Sequence, residues 1–88
     1  MNYTIAMTDE ADDDLADVWM SASDPWAINS AMNDAERILS MNPLSSSESL
    51  SEGLRRLKLA PILLYFRVDL PRRIVEISNS RLILFDPP

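Results

Sequence analysis

Apolar residues alternate at the start of the chain. Tyr3, Ile5 and Met7 fall on one side of residues 2–7 at period two, which predicts a short strand. The period changes at Thr8, a hydroxyl suited to cap free N–H groups, followed by Asp9 and Glu10 in the positive first turn of a helix. Ala11, Leu15, Val18, Trp19 and Ala22 recur at helical spacing, with Asp12, Asp13, Asp14 and Asp17 mostly on the outer faces. Asp24-Pro25 opens a second helix whose inner stripe is Ile28, Ala31, Met32, Ala35, Ile38 and Leu39. Asn42-Pro43 closes it, because the residue before a proline is pushed out of the helical region. The short break at residues 21–24 makes the pair a helical hairpin.

Residues 44–52 hold five serines and read as a polar, mobile loop, and Gly53, the only glycine, marks the return to regular structure. Leu57 and Leu59 alternate with Arg56 and Lys58, a half-buried strand. The stretch 62–68 is apolar on both sides, with Ile62, Leu64, Phe66 and Val68 on one and Leu63, Tyr65 and Arg67 on the other, so it belongs near the middle of a sheet. Asp69-Leu70-Pro71-Arg72 is turn material, residues 73–78 return with Val75 and Ile77 inward, and residues 81–85 predict a further edge strand. The expected fold is α+β. An N-terminal strand and a helical hairpin pack on one face of a mostly antiparallel sheet of four to five strands, in one domain over residues 1–88.

Composition narrows the chemistry. With neither Cys nor His, the chain excludes disulfides, thiolate nucleophiles, Cys/His zinc sites and triads built on imidazole. The apolar run at residues 59–66 contains Pro61 and is far shorter than the ~20 residues of a membrane span, and the start has no leader pattern; a cytoplasmic protein is expected. The net charge of −6 is unevenly spread. Residues 1–52 carry eleven acids against Arg37, whereas residues 53–88 carry seven bases against Asp69, Glu76 and Asp86.

The bases are Arg55, Arg56, Lys58, Arg67, Arg72, Arg73 and Arg81. Strand alternation puts Arg56 and Lys58 on one face and brings Arg67 beside them from the next strand. Guanidinium groups gathered there bind phosphate bidentately and offset charge on a reacting phosphoryl group, and Tyr65 on the same face donates a proton or stacks on a base. Arg56, Lys58, Tyr65, Arg67 and Arg81 are therefore the candidate site residues. The alternative is a solvated sheet whose cations guard its edges. The run Asp12-Asp13-Asp14 fans out around its helix by roughly 100° per residue and does not converge on a metal. Trp19 and Trp26 are expected to fill the space under the hairpin, the alternative being a partner-binding groove, and the five methionines to fill gaps in the core.

The residues 11–19 (Ala-x-x-Asp-Leu-Ala-Asp-Val-Trp), 38–43 (Ile-Leu-Ser-Met-Asn-Pro), 53–69 (Gly-Leu-Arg-Arg-Leu…Leu-Tyr-Phe-Arg-Val-Asp) and 73–78 (Arg-Ile-Val-Glu-Ile-Ser) taken in order resemble the RelE/ParE toxins of bacterial toxin–antitoxin modules, the plasmid-stabilisation type. The resemblance implies a β-α-α-β-β-β fold, an antitoxin partner and one of two activities. A RelE-like member would be a metal-independent, ribosome-dependent messenger RNA endonuclease in which a 2′-hydroxyl attacks the adjacent phosphate. Arg56 and Lys58 would correspond to its basic strand residues and Arg81 to the arginine after the penultimate strand. The arginine expected early on the central strand falls near Leu63, and no tyrosine follows Tyr65. A ParE-like member inhibits growth by binding DNA gyrase without hydrolytic residues, and the incomplete set leans that way. The third alternative is a non-toxic interaction module of the same fold. None of these needs a cofactor, and a homodimer is an admissible assembly.

Overall fold

A computed structural model describes residues 2–83. Along them run β1 (Thr4–Met7), α1 (Asp9–Ser21), α2 (Pro25–Met41), β2 (Glu48–Ser49), β3 (Arg55–Leu59), β4 (Ile62–Asp69) and β5 (Ile74–Leu82). The five strands form one sheet in the order β1-β5-β4-β3-β2. β2 to β5 are an antiparallel meander, and β5 returns beside β1, with which it is parallel. The α+β architecture read from the sequence is the observed one, with the apolar β4 central.

Both helices start where their capping residues stand. Thr8 Oγ1 accepts from the Ala11 N–H at 3.1 Å, and Asp24 Oδ1 accepts from the Ala27 N–H at 3.3 Å, each satisfying a donor that the helix leaves free. The hairpin lies on one face of the sheet. Ala11 and Val18 of α1 and Ile28, Ala31, Met32, Ala35 and Leu39 of α2 are buried against Leu57, Ile62, Leu64, Phe66, Val75 and Ile77. The alanines allow both helices to lie close over the sheet, so the opposite sheet face stays open.

α1 also tends the sheet's edge. β1 stops at Met7, leaving the outer side of β5 unpaired beyond Ile77. The Thr8 N–H donates to the Ile77 carbonyl at 3.0 Å, and the Asp14 carboxylate accepts from the Ser80 N–H at 3.2 Å and the Asn79 amide at 3.1 Å. Asp14 thus takes the place of a missing strand, which gives one member of the aspartate run a structural role. Ser78 has no partner in the β4–β5 register, a bulge that shifts the pairing between Tyr65 and Phe66.

Four expectations need correction. Trp19 and Trp26 do not fill the space under the hairpin: they are 46% and 78% exposed, because the inner faces are already occupied by smaller residues. Met20 and Met41 are likewise exposed, while Met32 is buried and Met7 half-buried. The serine-rich loop is not wholly irregular, since Glu48 and Ser49 pair with Arg56 and Arg55. There is no separate edge strand starting at residue 81. Arg81 and Leu82 continue β5 across the bulge, and residues 84 and 85 lie outside the described residues.

Between β2 and β3 the chain reverses through Glu52 (φ 55°) and Gly53 (φ 81°). A Cβ on Gly53 would meet nothing within 4 Å, so the glycine serves the left-handed backbone and not a close approach. Among the described residues no helix is long and apolar enough to cross a membrane.

Candidate functional site

The register lays side chains in rows across the open face. One row runs Glu48, Arg56, Tyr65, Asn79 over β2, β3, β4 and β5. The next, two residues along, runs Lys58, Leu63, Arg81. Strands are about 4.8 Å apart and alternate residues roughly 7 Å apart along a strand, so Arg56, Lys58, Tyr65 and Arg81 occupy one compact patch. Leu54, Tyr65, Asn79 and Arg81 line a shallow depression of about 500 Å³ within it. All five sequence candidates therefore share one face, spread over three consecutive rows.

Arg67 shares the face in the row on the other side of Tyr65, diagonal to Arg56 and farthest from Lys58 and Arg81. It is opposite Glu76, and it lines a second depression with Asp69, Leu70 and Arg72 at the β4–β5 turn. The other cations are employed elsewhere. Arg55 lies on the alternate side of β3, where its guanidinium donates to the Ser47 hydroxyl at 2.8 Å and the Leu44 carbonyl at 2.9 Å. Arg72 lies 3.8 Å from Asp69, and Arg73 adopts a positive φ of 55° in the turn, its carbonyl accepting from Thr4.

Arg56 is not free. Its guanidinium pairs with the Glu48 carboxylate across the β2–β3 hairpin and is 34% exposed. Glu48 is the main cause, and Tyr65 the second, of an Arg56 pKa held above its ordinary value. The guanidinium stays charged, but one side of its fork is occupied. No ion pair reaches Lys58, Arg67 or Arg81 among the described residues. The patch is thus a partly neutralised cationic surface with an apolar centre at Leu63, and no group of three Asp or Glu residues could hold a metal ion among the described residues.

Sequence reasoning missed Glu48 because the serines around it read as loop. The signal present was Gly53 itself, a turn residue that closes the five-residue loop 50–54 between β2 and β3. Removing this carboxylate's charge should strengthen anion binding. Glu48→Gln is expected to raise affinity for a short single-stranded RNA roughly three- to fivefold, the scale of one surface charge pair, with Glu36→Gln on α2 as a silent control. Fluorescence anisotropy at low salt measures both.

Most acids of the hairpin stand behind the sheet, but Asp14 accepts from the amide of Asn79 in the open-face row, and Asp14 and Asp17 line a depression with Arg81 at the β5 edge, so one border of the patch carries carboxylates.

Neither a family model nor any curated protein matches the chain. Solved structures do. A chain of the toxin–antitoxin complex RelBE2 from Mycobacterium tuberculosis superposes with a TM-score of 0.79 at 22% identity, covering 93% of this chain and 99% of that one. The fold is RelE/ParE-like. A chain of the RelE–RelB complex from Pyrococcus horikoshii OT3 gives 0.69 at 16% identity, with 93% and 96% covered. One from the chromosomal ParDE system of Pseudomonas aeruginosa gives 0.68 at 17%, with 93% and 97% covered. The RelE/ParE-like fold accounts for the sheet order and the one-sided hairpin that expose the patch; at these identities it speaks for the fold alone.

Proposed function

We propose that the protein is the toxin component of a toxin–antitoxin module, restrained by a cognate antitoxin and inhibiting growth by binding its target through the open sheet face. The reading draws on neighbours that come from toxin–antitoxin complexes of both RelE and ParE type. The observation that carries binding over cleavage is Leu63, standing between Lys58 and Arg81 at the centre of the patch. A methyl-bearing side chain there offers no charge to a phosphoryl group gaining negative charge, whereas cations around an apolar centre suit a macromolecular interface. DNA gyrase is the target this reading favours.

One arrangement supports a second reading. Glu48, Arg56 and Tyr65 form a line of carboxylate, guanidinium and phenol, the groups a metal-independent ribonuclease needs for proton transfer and charge stabilisation. The deciding experiment expresses the protein in a bacterium without the antitoxin and maps messenger RNA ends from translating ribosomes. The binding reading expects growth arrest, intact message and trapped gyrase. Codon-register cuts abolished by Arg56→Ala would put the nuclease reading first. Normal growth with soluble, folded protein would leave only a non-toxic interaction module.

A further inference from the structure

The outer face of the helical hairpin carries a second surface, remote from the cationic patch. Leu15, Ala16, Trp19 and Met20 of α1, with Asp12 at one end and Asn29 of α2 on the far wall, line an apolar depression of about 370 Å³. Trp26 stands one helical turn before Asn29 and is 78% exposed; Met20 is 81% exposed. Both tryptophans of the chain and one of its methionines are thus left in water at the junction of two helices. A domain this small gains much of its stability from large apolar side chains, and leaving its two largest outside forfeits that gain unless something covers them.

Charge selects the occupant. Asp12 lines the depression, Asp9 and Asp13 stand on the same outer side of α1, and Asp24 caps α2 two residues before Trp26. Neither helix carries a base in its last turn, so no side-chain cation stands at the C-terminal end of α1 beside Trp19 and Met20. A second copy meeting the same face across a two-fold axis would oppose acid to acid, and anionic lipid would be repelled. A helix presenting an apolar stripe flanked by lysine or arginine matches both the groove and its rim.

We propose that this groove docks a basic amphipathic helix of a partner protein, its apolar stripe against Trp19, Met20 and Trp26 and its cations toward Asp9, Asp12, Asp13 and Asp24. The site is independent of whatever the sheet face meets, and it stands whether or not the chain is toxic.

The two tryptophans make the test direct. The purified chain is titrated with an 18-residue leucine/lysine amphipathic peptide and with a leucine/glutamate peptide of the same apolar stripe, following intrinsic fluorescence. The proposal expects a saturable blue shift with the lysine peptide and at least tenfold weaker binding of the glutamate peptide. Trp26→Ser, which keeps Trp19 as reporter and every acid in place, should weaken the lysine peptide at least tenfold. Met20→Ser should do likewise, with unchanged circular dichroism because both residues are exposed. Equal affinity for the two peptides, no shift with either, or indifference to Trp26→Ser and Met20→Ser would overturn it. So would a blue shift that appears without peptide as concentration rises, which would assign the groove to a second copy. A blue shift with phosphatidylcholine vesicles equal to that with the lysine peptide would likewise assign it to lipid. None of these outcomes depends on growth arrest, so failure here and failure of the toxin reading are separately visible.

Discussion

Phe66→Ala is expected to cost about 3–5 kcal/mol, the largest single-residue loss of stability in the chain. Phe66 is fully buried on β4, in register with Ile77 on β5, and is the largest of the fully buried side chains. It lies within the contact between the sheet and both helices, so neighbours on several elements cannot collapse together to fill the void. A domain of this length has roughly 5–10 kcal/mol to lose, and each kcal/mol moves the melting temperature by about 4–8 °C. Urea unfolding followed by far-ultraviolet circular dichroism should therefore place Phe66→Ala near the edge of folding. Trp26→Ala, though it removes a larger side chain, should fall within about 0.5 kcal/mol of the parent, because the ring is exposed. The reverse order would contradict the packing described above.

The Lys58→Ala/Arg81→Ala double variant should lose most of the anion affinity of the open face. These two cations flank Leu63 and have no carboxylate partner among the described residues. Arg56, by contrast, already shares its charge with Glu48. Affinity for a single-stranded RNA oligonucleotide is expected to fall about tenfold or more at low salt. The slope of log affinity against log salt should become shallower by roughly 1.4, the signature of two lost phosphate contacts. Arg37→Ala, on the hairpin beside Asp34, should change neither quantity. An unchanged slope in the double variant would remove phosphate recognition from the role of this face.

The cationic patch was legible in part because strands write their faces into the sequence at period two. Arg56 and Lys58 had to share a side, and so did Leu63, Tyr65 and Arg67. What periodicity within a strand omits is the offset between strands. Register puts Arg81 in line with Lys58 and Glu48 in line with Arg56, and it sets Arg67 opposite Glu76. Arg67 is diagonal to Arg56 but lies on the opposite side of Tyr65 from Lys58 and Arg81, and Glu48 was not grouped at all.

Hydrophobicity also misled where it was strongest. Trp19 and Trp26 read as core because burial is the usual fate of large rings, yet alanines and aliphatic residues had already filled the helix–sheet contact.

The amino-acid order alone determined the local elements: two capped helices with apolar stripes, an apolar central strand and a glycine turn, since capping, periodicity and backbone strain act over a few residues. Which charges became neighbours, that Asp14 would close the edge of β5, and that two tryptophans would face water were set by the packing of distant segments. Those outcomes depend on how distant segments divide a limited core and align their backbones, which no short-range pattern encodes.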